Sequence, residues 1–239
     1  MAIKKLEQDT ITLTSEIIND KYTEFVYDNY DIQNREQVIT EIPKLNDDDI
    51  TNFKWNIGII LGNSGSGKST LLKSLGEPKN VVYDDLKCVI SQFDELDENE
   101  ASDLLHGVGI SSIPTWLKRP YQLSNGEMAR LNLAMTIYKS KNEKYILIDE
   151  FTSVVNRPCA QSMSFAIQRY ARKHDLKLIL ASCHYDIIEF LKPDWIFNLN
   201  KKTDGIVSVE RIIYNDDEAY KLYTHIDKNK ILSDKYVIG

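Results

Sequence analysis

Nine consecutive residues carry the most chemistry in this chain: Gly62-Asn63-Ser64-Gly65-Ser66-Gly67-Lys68-Ser69-Thr70. They fit G-x-x-x-x-G-K-[ST], a loop whose backbone N–H groups cradle phosphate oxygens. Glycines at 62, 65 and 67 permit backbone angles and close approaches that a Cβ blocks. Lys68 is spaced to reach the outer phosphates of a nucleotide, and the Ser69 hydroxyl to ligate Mg²⁺. The loop is predicted to open a helix over Lys68 to Leu75, whose N-terminal dipole favours a bound anion. A second candidate group is Asp149-Glu150, which ends the apolar run Tyr145-Ile146-Leu147-Ile148. There Asp149 is suited to hold the metal through water, and Glu150 to act as general base on an attacking water. Either pattern alone is a weaker signal than the two in this order.

These groups need elements to hold them. Asn56 to Leu61 reads as a short buried strand feeding the loop. Further apolar runs occur at 80–83, 88–90, 145–148, 178–181 and 195–197, with helical patterns at Gly126 to Tyr138, Cys159 to His174 and Tyr185 to Leu191. Strands alternating with helices indicate an α/β fold, with a mainly parallel sheet flanked by helices and ligands at the carboxyl ends of the strands. Residues 1–54 are expected to form a β-rich segment peripheral to the core, with strands at Thr10 to Ile18 and Glu24 to Tyr30 and an acidic loop at Asn46 to Asp49. Phe25, Tyr27 and Tyr30 are expected to fill one face of that small sheet, adenine stacking being the rarer alternative. Residues 55–199 form the core, with a small helical lobe inserted at about 94–125. Residues 200–239 add a strand at Ile206 to Ile213 and a terminal helix at Asp217 to about Lys230.

Composition narrows the class. The 239 residues are 42% hydrophobic and carry a net charge of -7. Residues 1–56 hold 6 Lys/Arg against 12 Asp/Glu, so -6 of that charge sits in the first quarter. A basic N-terminal arm for nucleic acid is excluded, as is strong sequence-independent DNA binding by the whole surface. Cys88, Cys159 and Cys183 are odd in number and lack C-x-x-C spacing, as free thiols in a reducing compartment do. With neither a membrane-length apolar run nor a leader-like start, the expectation is a soluble, cytoplasmic protein.

Four further motifs, in the family's order, resemble the ATP-binding cassette (ABC) ATPases, over about Trp55 to Asp194. Leu123-Ser124-Asn125-Gly126-Glu127 is similar to that family's signature motif, 23 residues before Asp149 and followed by Arg130. Ser91-Gln92-Phe93 is similar to the glutamine loop, Thr152 to Asn156 to the D-loop, and Ser182-Cys183-His184 to the switch-histidine position. The chain departs from the family with Asn125 for glycine, Glu127 for glutamine, Phe151 for proline and Asn156 for aspartate. The resemblance implies that ATP and Mg²⁺ are bound by Gly62 to Thr70. It gives the metal to Ser69, Gln92 and Asp149, catalysis to Glu150, His184, Lys68 and Gln92, and γ-phosphate contact to His184. It also implies a head-to-tail homodimer, in which Ser124 and Gly126 of one copy touch nucleotide held by the other. His106, His174 and His225 receive no chemistry.

The 24 residues from Lys68 to Gln92 and the 31 from Gln92 to Leu123 look short for a transporter subunit, and 31 residues cannot hold a long coiled coil. Residues 149–157, 183–189 and 193–195 are similar to a soluble subgroup met in phage genomes and fused to acetyltransferase-like domains. No such domain fits in the 45 residues after Asp194. The expectation is therefore a soluble ATPase driving a process other than transport, with a protein or nucleic-acid client still open. The alternatives are a nucleotide-binding subunit of a membrane transporter, an ATP-gated clamp with negligible hydrolysis, and a phosphotransferase.

Overall fold

Strands β1 (Thr10–Glu16) and β2 (Gln37–Pro43) pair antiparallel, with Thr10 opposite Pro43 and Glu16 opposite Gln37. They belong to a computed structural model that describes residues 9–30, 32, 36–201, 207 and 209–212. The chain divides into two units, residues 1–44 and 45–239. Between the first two strands runs helix α1 (Lys21–Asn29), where the sequence led us to expect a strand. A reciprocal cap overrides the aromatic, β-prone composition. The Asp20 carboxylate accepts from the Tyr22 and Thr23 amides at 2.9 and 3.0 Å, and the Thr23 hydroxyl accepts from the Asp20 amide. Such a box satisfies the orphan donors of a helix start. Phe25 on the helix and Tyr30 at its C-cap accordingly stand exposed rather than filling a sheet face.

The second unit begins with a single helical turn, α2 (Asp48–Thr51), in the expected acidic loop. It continues with β3 (Ile57–Leu61), α3 (Lys68–Ser74), α4 (Glu98–Gly107), α5 (Ile113–Trp116) and α6 (Asn125–Lys139). Then follow β4 (Ile146–Ile148), α7 (Arg157–Lys173), β5 (Leu178–Ser182), α8 (Ile188–Leu191), β6 (Trp195–Asn198) and β7 (Val209–Arg211). The sheet order is β4-β5-β3-β6-β7, parallel except for β7 against β6. The fold class is therefore the expected one, a mainly parallel sheet flanked by helices.

Every residue of β3 and β5 is buried, as unbroken apolar runs require when both faces of a sheet are covered. Ile57, Ile59, Leu61, Ile146, Ile148, Leu178, Leu180 and Ile196 share one core with residues of α4, α6 and α7. The helical segment after Asp94 thus packs into the same core as the sheet. Ile60, Leu147, Ile179, Ala181 and Phe197 alternate to the opposite face and are buried there, as are Leu71 and Leu72 of α3. Gly58 lies beside Trp195, its partner in register, and a Cβ there would sit 2.0 Å from the indole.

Two expected strands do not form. Residues 80–83 are loop, and 88–90 lead into a 3₁₀ turn at Ile90–Gln92. Val81, Tyr83 and Ile90 still pack on the core, so their burial carries the apolar signal without strand geometry. Among the described residues no helix is long and apolar enough to cross a membrane. The terminal helix and His225 lie outside the described residues.

Candidate functional site

The phosphate loop leaves β3 at Leu61 and turns directly into α3. Gly65 and Gly67 take φ of +76° and +90°, a region that penalises a Cβ. Gly67 caps α3 without any side-chain hydrogen bond, so the first amides of that helix keep no side-chain partner. A Cβ on Gly62 would lie 2.4 Å from the Ser66 hydroxyl oxygen, which is buried without a hydrogen-bond partner. An orphaned hydroxyl and an uncapped helix start in one loop suit an anion with several acceptor oxygens. Lys68 Nζ donates to the Gly62 and Asn63 carbonyls at 2.8 and 2.7 Å, placing its charge over the loop. The residues present therefore fit a nucleotide phosphate chain.

The acids end β4, which is separated in the sheet from the strand that feeds the phosphate loop. β5 lies between β3 and β4, so the two strand ends are about 10 Å apart at ordinary inter-strand spacing. Register sets their height. Ile148 is level with Leu180 and Ile59, which puts Asp149 and Glu150 at the carboxyl edge where Leu61 enters the loop. Asp149 is half-buried and Glu150 exposed. The segment is bent: Glu150 and Thr152 adopt φ of +49° and +70°. Two bonds to β5 hold the bend, Phe151 N donating to Ala181 O at 2.8 Å and Ser182 Oγ to Phe151 O at 3.0 Å. A cavity of about 320 Å³ lies against this segment and α6, lined in part by Asp149, Glu150, Asn132 and Met163 but by no residue of the phosphate loop.

His184 follows β5 and stands two residues past Ser182, which is paired with Leu61. Its Nδ1 lies 3.0 Å from the Thr152 hydroxyl, and its amide donates to Ser182 Oγ. Burial lowers its pKa, with Arg157 adding to the effect and Asp186 opposing it. Arg157, at the start of α7, forms an ion pair with Asp186.

Gln92 sits in the 3₁₀ turn rather than at a strand end. It is buried, and both ends of its carboxamide are engaged locally. Oε1 accepts from Asp84 N at 3.0 Å, while Nε2 donates to the Asp84 and Lys87 carbonyls at 2.8 and 3.1 Å. It staples the 84–88 loop, between the two runs expected as strands.

Ser124 is the N-cap of α6. Its amide and hydroxyl both donate to Glu127 Oε2 at 2.9 Å, and the Glu127 amide donates back to Ser124 Oγ. Lys118 and Thr115 also bind the carboxylate, and its pKa falls to about 2, chiefly through the Ser124 amide. Of the two helix tips, α3 is free of a side-chain cap and α6 carries its own carboxylate; the amides of Asn125 and Gly126 lie outside that box. Arg130 joins α6 to α7, donating to Gly126 O and to Ser162 Oγ. Asn156 caps α7 by accepting from Cys159 N at 3.0 Å, a structural role.

Sequence reasoning assigned nothing to the relay that steadies the loop from β6. Asn200 Nδ2 donates to Asn63 Oδ1 and to Tyr185 Oη, both at 2.9 Å, and Tyr185 Oη donates to Asn198 Oδ1. No local pattern reveals partners 137 residues apart. Among the described residues no three His, Cys, Asp or Glu gather as a cation cage. Mg²⁺ at a phosphate site draws most of its ligands from phosphate and water, so one hydroxyl and one carboxylate suffice.

No protein-family model and no curated protein matches the chain. Among solved structures it is similar to the dimeric structure of MJ0796, a bacterial ABC transporter cassette, at 16% identity and a TM-score of 0.49, over 77% of this chain and 95% of that one. The post-hydrolysis dimer of the same cassette with ADP and Pi gives 17% and 0.48 over the same shares. An inward-facing ABC transporter of the metal-chelate type gives 15% and 0.48, over 74% of this chain and 76% of that one.

Proposed function

We propose that this chain is an ABC-type ATPase that binds ATP with Mg²⁺ and hydrolyses it across a head-to-tail homodimer, powering a cytoplasmic process other than transport. One observation carries the reading. A glycine-bent loop with an uncapped helix start and Lys68 over it shares the carboxyl edge of the sheet with Glu150, one strand removed. Gly62 to Thr70 wrap the phosphates, and Ser69 and Asp149 would hold Mg²⁺, which screens charge on the β- and γ-phosphates when bound. Glu150 takes a proton from the attacking water, and His184 donates to the terminal phosphate. Gly126 of the partner copy offers its amide to the same phosphate. Gln92 joins the metal only if its carboxamide leaves the 84–88 loop.

The test is Glu150→Gln with saturating ATP and Mg²⁺. Phosphate release is expected to fall by about 10²-fold or more, and dimers to accumulate on size-exclusion chromatography. Full turnover in that variant refutes the assignment of Glu150. The engaged Gln92 favours one second reading, an ATP-gated clamp with slow turnover. Wild-type protein that dimerises with ATP yet releases no phosphate decides for it.

A further inference from the structure

Thr152 is 4% exposed, β-branched and held at φ +70°. A β-branched residue there is a conformational outlier, held in a strained backbone. The bend persists because Phe151 is bonded to β5 through both its amide and its carbonyl. What the strain delivers is the Thr152 hydroxyl, 3.0 Å from His184 Nδ1.

That hydroxyl has one proton and two acceptors within reach, His184 Nδ1 and Phe151 O. The Phe151 carbonyl already receives the Ser182 hydroxyl. A neutral imidazole carries one N–H and one lone pair, and the partner of one nitrogen sets the state of the other. If the threonine proton goes to Phe151 O, Nδ1 keeps the ring proton and Nε2 presents a lone pair, which repels an oxyanion. If it goes to Nδ1, Nε2 carries the N–H. Burial of the ring, with the charge of Arg157 adding to it, disfavours a second ring proton.

We propose that Thr152 is a positioning residue for His184, its hydroxyl donating to Nδ1 so that the ring proton stays on Nε2 as a donor to the terminal phosphate of a bound nucleoside triphosphate. The phosphate half of this statement rests on the ATPase reading above; the tautomer half does not. Threonine is suited to the task because it carries a hydroxyl proton that a carboxylate lacks at neutral pH, and a carboxylate at this place would draw the ring proton to Nδ1.

The experiment is a ¹⁵N–¹H correlation of the histidine rings in the nucleotide-free full chain, with His184→Gln assigning the signals. The wild-type ring is expected to show the Nε2–H pattern. Thr152→Ser is expected to keep it, and Thr152→Val to lose it. In steady-state ATPase assays Thr152→Val is expected to lower kcat about tenfold or more with KM little changed, as loss of a transition-state donor does. Thr152→Ser should recover most of the rate. An Nδ1–H tautomer in the wild type overturns the proposal even if Thr152→Val fails to fold, and so does Thr152→Val with unaltered tautomer and rate. A wild-type Nε2–H ring in a protein that hydrolyses no ATP instead counts against the ATPase reading and leaves the Thr152–His184 link standing.

Discussion

Asn200, just past the end of β6, donates to Asn63 in the first turn of the phosphate loop at 2.9 Å, and the same amide nitrogen reaches Tyr185 beside His184. Two strand ends that flank β3 are therefore linked across the loop they support. Lys68 binds the Asn63 carbonyl from within, so Asn63 is held on both sides. Asn200→Ala removes the outer hold and leaves the sheet intact. One such bond contributes about 0.5–1.5 kcal/mol net. ATP affinity is expected to weaken about three- to tenfold, with Tm nearly unchanged. Titration with a fluorescent ATP analogue reads this, and wild-type affinity would mean that the relay is ornamental to binding.

Gly58 lets the Trp195 indole lie across β3, and that close approach sets how β3 and β6 pack on the face covered by α3. A Cβ at 2.0 Å from the ring cannot be absorbed by a side-chain tip, because Trp195 is fully buried and in edge contact with Trp55. Overpacking of this kind costs about 1–3 kcal/mol or more. Gly58→Ala is expected to lower Tm by several degrees, read by calorimetry. Gly65→Ala, in open space but at φ +76°, should cost far less stability while weakening nucleotide binding. Equal Tm values for the two variants would contradict this account.

Elements defined by contiguous burial were legible in the sequence, and elements defined by distant partners were not. β3, β4, β5 and β6 are short, largely apolar runs buried on both faces, and that pattern is local. The phosphate loop is a local backbone motif, so its residues suffice to announce it. Residues 80–90 misled because Val81, Tyr83 and Val89 pack on the core without forming a strand, while Gln92 spends its carboxamide holding the backbone in a loop. Residues 24–30 misled because aromatic composition outweighed the D-x-x-T box at Asp20 and Thr23, which was present to be read. That β5 separates the acids from the loop is a fact of strand order, and no local pattern encodes strand order.

Glu127 gives the start of α6 a pH dependence. Its folded pKa of about 2 lies below the ordinary value of 4.5 because the ionised form accepts from Ser124, Lys118 and Thr115. A depressed carboxyl pKa contributes stability that is fully present above 4.5 and is lost as pH falls toward 2. Glu127→Gln keeps the shape of the box and removes the titration. Its Tm is expected to lie somewhat below wild type at pH 7, where the cap contributes about 1 kcal/mol. The gap should narrow between pH 5 and 3. A constant gap across that range would show that the carboxylate does not stabilise the start of α6.

Asp194 stands just before β6, and its contacts are those of a fold-holding residue. Its Oδ2 accepts from the Asn56 and Ile57 amides at 2.8 and 2.9 Å, satisfying the entrance of β3 where no strand partner does. Arg172 of α7 donates to both carboxylate oxygens at 3.1 and 3.0 Å and to the Lys192 carbonyl at 2.6 Å. The Asp194 side chain is 17% exposed and that of Arg172 31%. Removing the carboxylate leaves two strand amides and a half-buried guanidinium without their acceptor, at a cost of about 2–4 kcal/mol. Asp194→Ala is therefore expected to lower the chemical-denaturation midpoint substantially, while ATP turnover at 20 °C stays within about twofold because β3 still forms in the surviving folded population. Asp194→Asn keeps one acceptor oxygen and should fall between the two. If Asp194→Ala instead keeps the wild-type midpoint and loses turnover, this residue acts at the site rather than under it.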